Sequence, residues 1–189
     1  MRIIAGHLRG RRLPPAAKGV RPTTDRVREA LFSAIGDAVV GARVLELFAG
    51  SGAFGFEALS RGAASATVVD SNPKVCRLLT ETADAFEVSD LVAILNMTAF
   101  QAMSHLTRHG ERYAIVFLDP PYLSNVLPGL MWDPLLLDLL ESPGMLVVER
   151  EARSPSPTAP PPYVRRFSRT YGGTAVDIFH RPTETDQTL

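Results

Sequence analysis

The 189-residue sequence predicts an α/β sandwich: a seven-stranded, mostly parallel sheet that closes with an antiparallel hairpin. Three observations carry this expectation. Short apolar, β-branched runs alternate with stretches whose apolar residues recur at helical spacing. The clearest run, Tyr113 to Leu118, is continuously apolar, as in a strand covered on both faces. The pattern then changes near the end of the chain, where two strand-like segments are joined through Gly172-Gly173, a hairpin signal.

Residues 1–20 come first, with Ile3-Ile4 and Leu8 broken by Gly6 and Gly10 in the manner of a short hairpin. Arg21-Pro22-Thr23-Thr24 then leads into a helix that Thr23 or Thr24 can cap, with Asp25 in its first turn. Val27, Ala30, Leu31, Ala34 and Ile35 give that helix a core face, and Gly36 or Gly41 ends it. Strand one spans Arg43 to Phe48, followed by a Gly-rich turn and a helix to about Arg61. Strand two is Ala66 to Val69, and Asn72-Pro73 opens a helix carrying Val75, Leu78, Leu79 and Phe86. Strand three, Leu91 to Leu95, precedes a helix through Phe100, Met103 and Leu106, and strand four ends at Leu118. Asp133-Pro134 is an N-cap with proline in the first turn, opening a leucine-rich helix to about Glu141. Strand five is Met145 to Val148, residues 154–162 form a proline-rich extended loop, and Tyr163–Thr170 and Thr174–His180 make the hairpin.

The length suits one domain with a real core, and no stretch is long and apolar enough to span a bilayer. The start lacks the apolar core of a signal peptide, so the expected location is cytoplasmic. Cys76 is the single cysteine, and the four histidines lack metal-ligand spacing, which argues against a metal site. His105 and His109, an i, i+4 pair, are expected on a helix surface. The net charge is zero but uneven. Residues 1–28 carry eight basic side chains against Asp25 alone, a charge of +7 that −7 elsewhere balances. Such a basic end suits a polyanion, and nucleic acid is the expected partner. The expected division is a basic extension, 1–20, a catalytic domain, 21–181, and a flexible tail, 182–189, in a monomer.

Ligands of parallel α/β sheets sit at the carboxyl ends of the strands. There, Gly50-Ser51-Gly52-Ala53-Phe54-Gly55 spells G-x-G-x-x-G after strand one, and Asp70 follows at the end of strand two, placed to accept bonds from ribose hydroxyls. These two features alone fit a dinucleotide-dependent oxidoreductase. Glu46 argues otherwise. A carboxylate inside strand one is costly unless a cation, an internal arginine or helix N–H groups meet it, and a pyrophosphate would add repulsion. S-adenosylmethionine would supply a cation, a ribose and an adenine together. At strand three, Met97, Thr98 and Ala99 fall where an adenine edge could be read. After strand four comes Asp119-Pro120-Pro121-Tyr122, a stiff bracket of bare carbonyls between a carboxylate and a ring. It suits a flat molecule whose amino group donates to Asp119 and a proline carbonyl while Tyr122 stacks on its face.

These residues together resemble the class I S-adenosylmethionine-dependent methyltransferases that act on exocyclic amines. Leu45-Glu-Leu-Phe-Ala-Gly-Ser-Gly52, Asp70 and the Asp119–Tyr122 bracket carry that likeness. More narrowly, Arg2-Ile-Ile-Ala-Gly6, Arg9-Gly-Arg11 and the block from Arg21 to Phe32 look like the RsmD family, which methylates guanine N2 in bacterial 16S rRNA. The resemblance implies a Rossmann-like fold, with Phe48, Gly50, Ser51 and Gly52 under the cofactor, Glu46 at its methionine end, and Asp70 and Ser71 at the ribose. Thr98 stands where relatives commonly carry Asp or Asn beside the adenine, with the Ala99 backbone alongside. Arg21 and Thr23 would line the cofactor entrance, a purely structural cap being the alternative. Asp119, Pro120, Pro121 and Tyr122 would hold the base, Asp119 also facing the cofactor. Arg2, His7, Arg9, Arg11, Arg12 and Lys18 would grip 16S rRNA, free or in a small-subunit assembly particle. The bracket alone leaves an adenine-N6 or cytosine-N4 methyltransferase open, and a non-catalytic RNA-binding module would need no carboxylate beside the prolines.

Overall fold

The computed structural model describes residues 1–15, 23–121 and 126–183, so the readings of Lys18, Arg21, Tyr122 and the tail from residue 184 lie outside the described residues. The chain forms two compact units, Met1–Ala99 and Phe100–Leu189. Among the described residues seven strands build the sheet, three of them in the first unit and four in the second. None of the helices described is long and apolar enough to cross a membrane.

In the first unit, α1 (Asp25–Ile35) starts at Thr24, whose side chain accepts from the Val27 N–H, and stops at Gly36. Its buried stripe is Val27, Arg28, Leu31, Phe32 and Ile35, whereas the expected core residue Ala34 is exposed. At 100° per residue Ala34 falls about 20° outside Val27, at the edge of the stripe, which Arg28 and Phe32 extend on the other side. Strands β1 (Arg43–Leu47), β2 (Ser65–Asp70) and β3 (Val92–Asn96) pair in parallel, with Leu47 opposite Val69 and Asp70 opposite Asn96. Between them lie α2 (Ala53–Ser60) and α3 (Pro73–Ala85). All eight residues of α2 are buried, which is why it shows little amphipathic pattern. Leu78 of α3 is 41% exposed, against the core position expected for it.

In the second unit, α4 (Ala99–Arg108) begins at the division, followed by β4 (Tyr113–Leu118), α5 (Val126–Met131) and α6 (Pro134–Leu139). Phe100, expected to face the core, is 46% exposed. Helix α6 is capped by Asp133 as expected, but it ends at Leu139, because β5 (Leu140–Glu151) is far longer than Met145–Val148. Tyr113 pairs with Leu140 and Ile115 with Met145, so residues 141–144 bulge out of the ladder. The Ser142-Pro143-Gly144 sequence reads as a break, yet it is a bulge inside one strand. Strands β6 (Val164–Tyr171) and β7 (Thr174–Arg181) form the expected hairpin, and β7 runs antiparallel to β5.

Candidate functional site

Glu46 lies inside β1 at 2% exposure. Its Oε1 accepts the Phe54 N–H at 3.2 Å and its Oε2 the Gly55 N–H at 2.8 Å, so it braces the first turn of α2. Of the partners the sequence left open, helix N–H groups are those at bonding distance. They do not fully offset burial, which pushes the carboxyl up to about 7 against the pull of these two bonds and of the Arg28 charge. Gly55, the third glycine of the turn, permits the close approach: a Cβ there would come within 2.7 Å of Val68 and 3.0 Å of Glu46. Gly52, at φ 69°, would meet Leu79 and Phe56 at 2.8 Å.

The turn is tied to the next strand. Asp70 accepts the Gly50 N–H at 3.0 Å through one oxygen and the Asn72 N–H at 2.8 Å through the other. Its carbonyl takes bonds from the Met97 N–H at 3.2 Å and the Asn96 amide at 3.1 Å, which reaches the end of β3. Phe48 is half-buried at φ 64°, a left-handed conformation that costs a non-glycine residue and recurs at ligand sites. Ser51 and Gly52 are buried, Ser71 and Thr98 are exposed, and Ala99 is buried at the start of α4. The three strand ends of the first unit thus gather Phe48, Gly50, Ser51, Gly52 and Asp70, with Thr98 two residues beyond β3. Thr23 is 6% exposed just before the N-cap, which Thr24 supplies.

The basic extension is fixed at the opposite end of α2. Glu57, fully buried, accepts the N–H groups of Ile4 at 2.8 Å and Ala5 at 3.1 Å and pairs with Arg61 at 2.8 Å. Ser60 accepts the Leu8 N–H through its hydroxyl, and its carbonyl accepts the His7 N–H at 2.9 Å. A Cβ on Gly6 would lie 1.7 Å from that carbonyl oxygen. Arg2 and Arg12 form an antiparallel bridge, as a hairpin requires. The arginines divide by role. Arg28 is fully buried, its Nη2 donating to the Arg2 carbonyl at 2.6 Å and to Asp25 at 2.8 Å. Arg11 donates to the Ala85 carbonyl at 2.6 Å and lies over Phe86. Arg2 is exposed beside Asp25, and Arg9, Arg12 and His7 are exposed. The sequence did not single out Arg28, Glu57 or Ser60; the one signal was that Arg28 falls inside the apolar stripe of α1.

In the second unit the bracket follows β4, with Asp119 half-buried, Pro120 buried and Pro121 exposed. Pro120 and Pro121 also line a cavity of about 320 Å³, together with Trp132, Glu149, Arg150 and the start of the proline-rich loop. Arg150 sets that wall: Nε donates to Asp177 at 2.7 Å, and Nη1 donates to the Ser154 carbonyl at 2.5 Å. Trp132, Glu149 and the Arg150–Asp177 pair are not legible in the sequence: Trp132 lies between α5 and α6, and isolated charged residues in β5 and β7 carry no motif. Among the described residues no cluster of His, Cys, Asp and Glu could hold a metal ion.

The model of the family described as Conserved hypothetical protein 95 matches residues 1–180. The ribosomal RNA small subunit methyltransferase D of Escherichia coli strain K12 is 37% identical over 191 aligned residues, covering 97% of this chain and 91% of its own. A solved putative methyltransferase from Escherichia coli, yhhF, superposes with a TM-score of 0.83 at 36% identity, covering 97% of this chain and 99% of that one. An RNA methyltransferase from Salinibacter ruber, solved with S-adenosyl-L-homocysteine, has a TM-score of 0.63 at 18% identity over 87% of this chain and 95% of its own. At that identity the likeness is one of fold.

Proposed function

The chain belongs to the Conserved hypothetical protein 95 family, and on that premise we propose that it transfers a methyl group from S-adenosylmethionine to the N2 amine of a guanine in bacterial 16S rRNA. What supports this reading above all is the company Glu46 keeps. A carboxyl that burial pushes up to about 7 despite two N–H bonds, beside a glycine turn tied to Asp70, fits a ligand that brings a cation and a ribose. The relative's name supplies the small-subunit RNA.

In this reading S-adenosylmethionine supplies the reactive methyl and the positive charge. Glu46 faces the amino-acid end, Asp70 and Ser71 take the ribose, and Thr98 and Ala99 take the adenine. The close backbone of Phe48, Gly50, Ser51 and Gly52 forms the floor, with Arg21 and Thr23 at the entrance. The guanine amine is a poor nucleophile because its lone pair is shared with the ring. Asp119 and the Pro120 carbonyl accept its two N–H bonds and leave the lone pair aimed along the transfer axis. As the methyl–nitrogen bond forms and the methyl–sulfur bond breaks, the nitrogen gives up one of those hydrogens as a proton, to Asp119 or to solvent. Positioning and fixed dipoles then supply the rate. Pro121 stiffens the bracket, and Tyr122 stacks on a base drawn out of its RNA context. Arg9, Arg12 and His7 contact phosphates with Lys18, while Arg2 and Arg11 hold the extension's shape as well.

The test is direct. Purified protein, labelled cofactor and small-subunit RNA, free or assembled, are combined, and the RNA is digested to nucleosides. N2-methylguanosine is the expected product, absent with Asp119→Ala. A methylated adenine or cytosine, or undiminished transfer by the variant, would refute the assignment.

A further inference from the structure

The bracket by itself accepts any exocyclic amine, so the choice of base must come from what surrounds it. Resting on the proposed reaction, we infer that the cavity beside Pro120 and Pro121 receives the target base and that Glu149 selects guanine by accepting its N1–H.

Four observations support this. The cavity, about 320 Å³, lies at the lower end of the roughly 300–1,000 Å³ range of small-ligand sites. Pro120 and Pro121 belong both to its wall and to the bracket, so an amine at the bracket puts the rest of its ring beside this space. Trp132 offers a large indole on that wall while 54% exposed, an arrangement suited to stacking on a flat partner. Glu149 lines the cavity from the end of β5 at 2% exposure. In the parallel register Leu118 lies opposite Val148, so Asp119 and Glu149 each follow that pair by one residue. The two carboxylates therefore come from neighbouring strand ends.

The chemistry then separates the bases. In guanine the amine-bearing carbon lies between bare N3 and N1, and N1 carries a hydrogen. In adenine and cytosine the corresponding ring nitrogens beside the amine are bare acceptors. A carboxylate accepts and does not donate when ionised, so it bonds guanine and repels the other two. Asp119 takes the amine, and Glu149 takes the neighbouring N–H. Arg150, bound to Asp177 and the Ser154 carbonyl, keeps the loop wall beside Glu149 in place.

The experiment uses full-length protein and small-subunit RNA carrying, at the methylated position, either guanosine or 2-aminopurine riboside. The analogue keeps the N2 amine but has a bare N1. Wild-type protein should prefer guanosine by roughly 10–100-fold in kcat/KM, as expected when one buried bond is lost and an acceptor is left facing a carboxylate. Glu149→Gln can turn an amide N–H toward the bare N1, so the preference should fall to within about threefold while cofactor affinity holds. Equal wild-type rates on the two substrates would overturn the inference even if the variant failed to fold, and so would a Glu149→Gln variant that kept the full preference. If the wild-type product were not N2-methylguanosine, the proposed reaction itself would fall; if it is, and only the preference is missing, only the role of Glu149 falls.

Discussion

The strand ends of the first unit and those of the second solve different problems. At the first, Glu46 and Asp70 spend their oxygens on backbone N–H groups of Phe54, Gly55, Gly50 and Asn72, and the turn is drawn to the sheet by its own amides. At the second, prolines remove such amides, and the wall is made of rings and a pinned loop around an open cavity. On the proposed reading, a cofactor that never varies meets a satisfied hydrogen-bond network, and a base drawn from a long polymer meets a stiff edge with room beside it. The first unit also shows two ways of burying a carboxyl. Glu46 and Glu57 are both buried and each accepts two N–H bonds, but only Glu57 has an arginine at 2.8 Å.

The contrast can be broken by substitution. Asp119→Asn should lower kcat by about 10²–10³-fold, the scale of one lost transition-state acceptor, with cofactor affinity within about twofold. Single-turnover rates and calorimetric titration check both halves; a parallel loss of cofactor affinity would erase the distinction between the strand ends. Glu57→Gln should act on the fold instead, costing about 3 kcal/mol and roughly 6–12 °C in melting temperature by breaking a buried pair and facing an amide hydrogen toward a backbone donor. Gly6→Ala should cost a similar amount, because the Ser60 carbonyl stands where the methyl would go.

Glu46→Gln should leave kcat at saturating cofactor nearly unchanged and weaken cofactor binding by about tenfold. Its pH signature is sharper. Since the folded carboxyl sits at about 7, above the ordinary 4.5, the ligand-free fold binds more protons than the unfolded chain between those values. The stability of the ligand-free protein therefore falls as pH rises across that window, by an amount on the order of 3 kcal/mol. A cationic ligand prefers the ionised form, so its affinity should rise with pH through about 7, and calorimetry in buffers of different ionisation enthalpy should detect proton release. Glu46→Gln should flatten that dependence. The smallest effect belongs to the surface: Arg9→Glu with Arg12→Glu should weaken RNA binding by about tenfold at low salt and reduce its salt slope, with no change in cofactor affinity.

Much of the first unit was legible because its chemistry lies in consecutive residues: Gly50 to Gly55, Asp70 at a strand end, Thr24 and Asn72 as caps. Glu46 was readable as an anomaly, an acid in an apolar strand, and the structure shows which of its possible partners sit at bonding distance. The second unit was half legible. Asp119 and the prolines announced themselves, whereas Trp132 and Glu149 come to one cavity only through the fold, from just after α5 and from β5. The bulge at residues 141–144 hid the true length of β5, since Ser-Pro-Gly has the composition of a turn. Periodicity alone puts Ala34 and Leu78 inside, because both are apolar residues at helical spacing, and the structure leaves both exposed.

The clasp between Glu57 and the N–H groups of Ile4 and Ala5 spans more than fifty residues. During synthesis, the extension emerges ahead of α2 by more than forty residues, so its arginines leave the ribosome before the Glu57 clasp exists. The segment that would grip RNA is therefore completed by the helix that carries the glycine turn at its other end, and newly made chain acquires the two together.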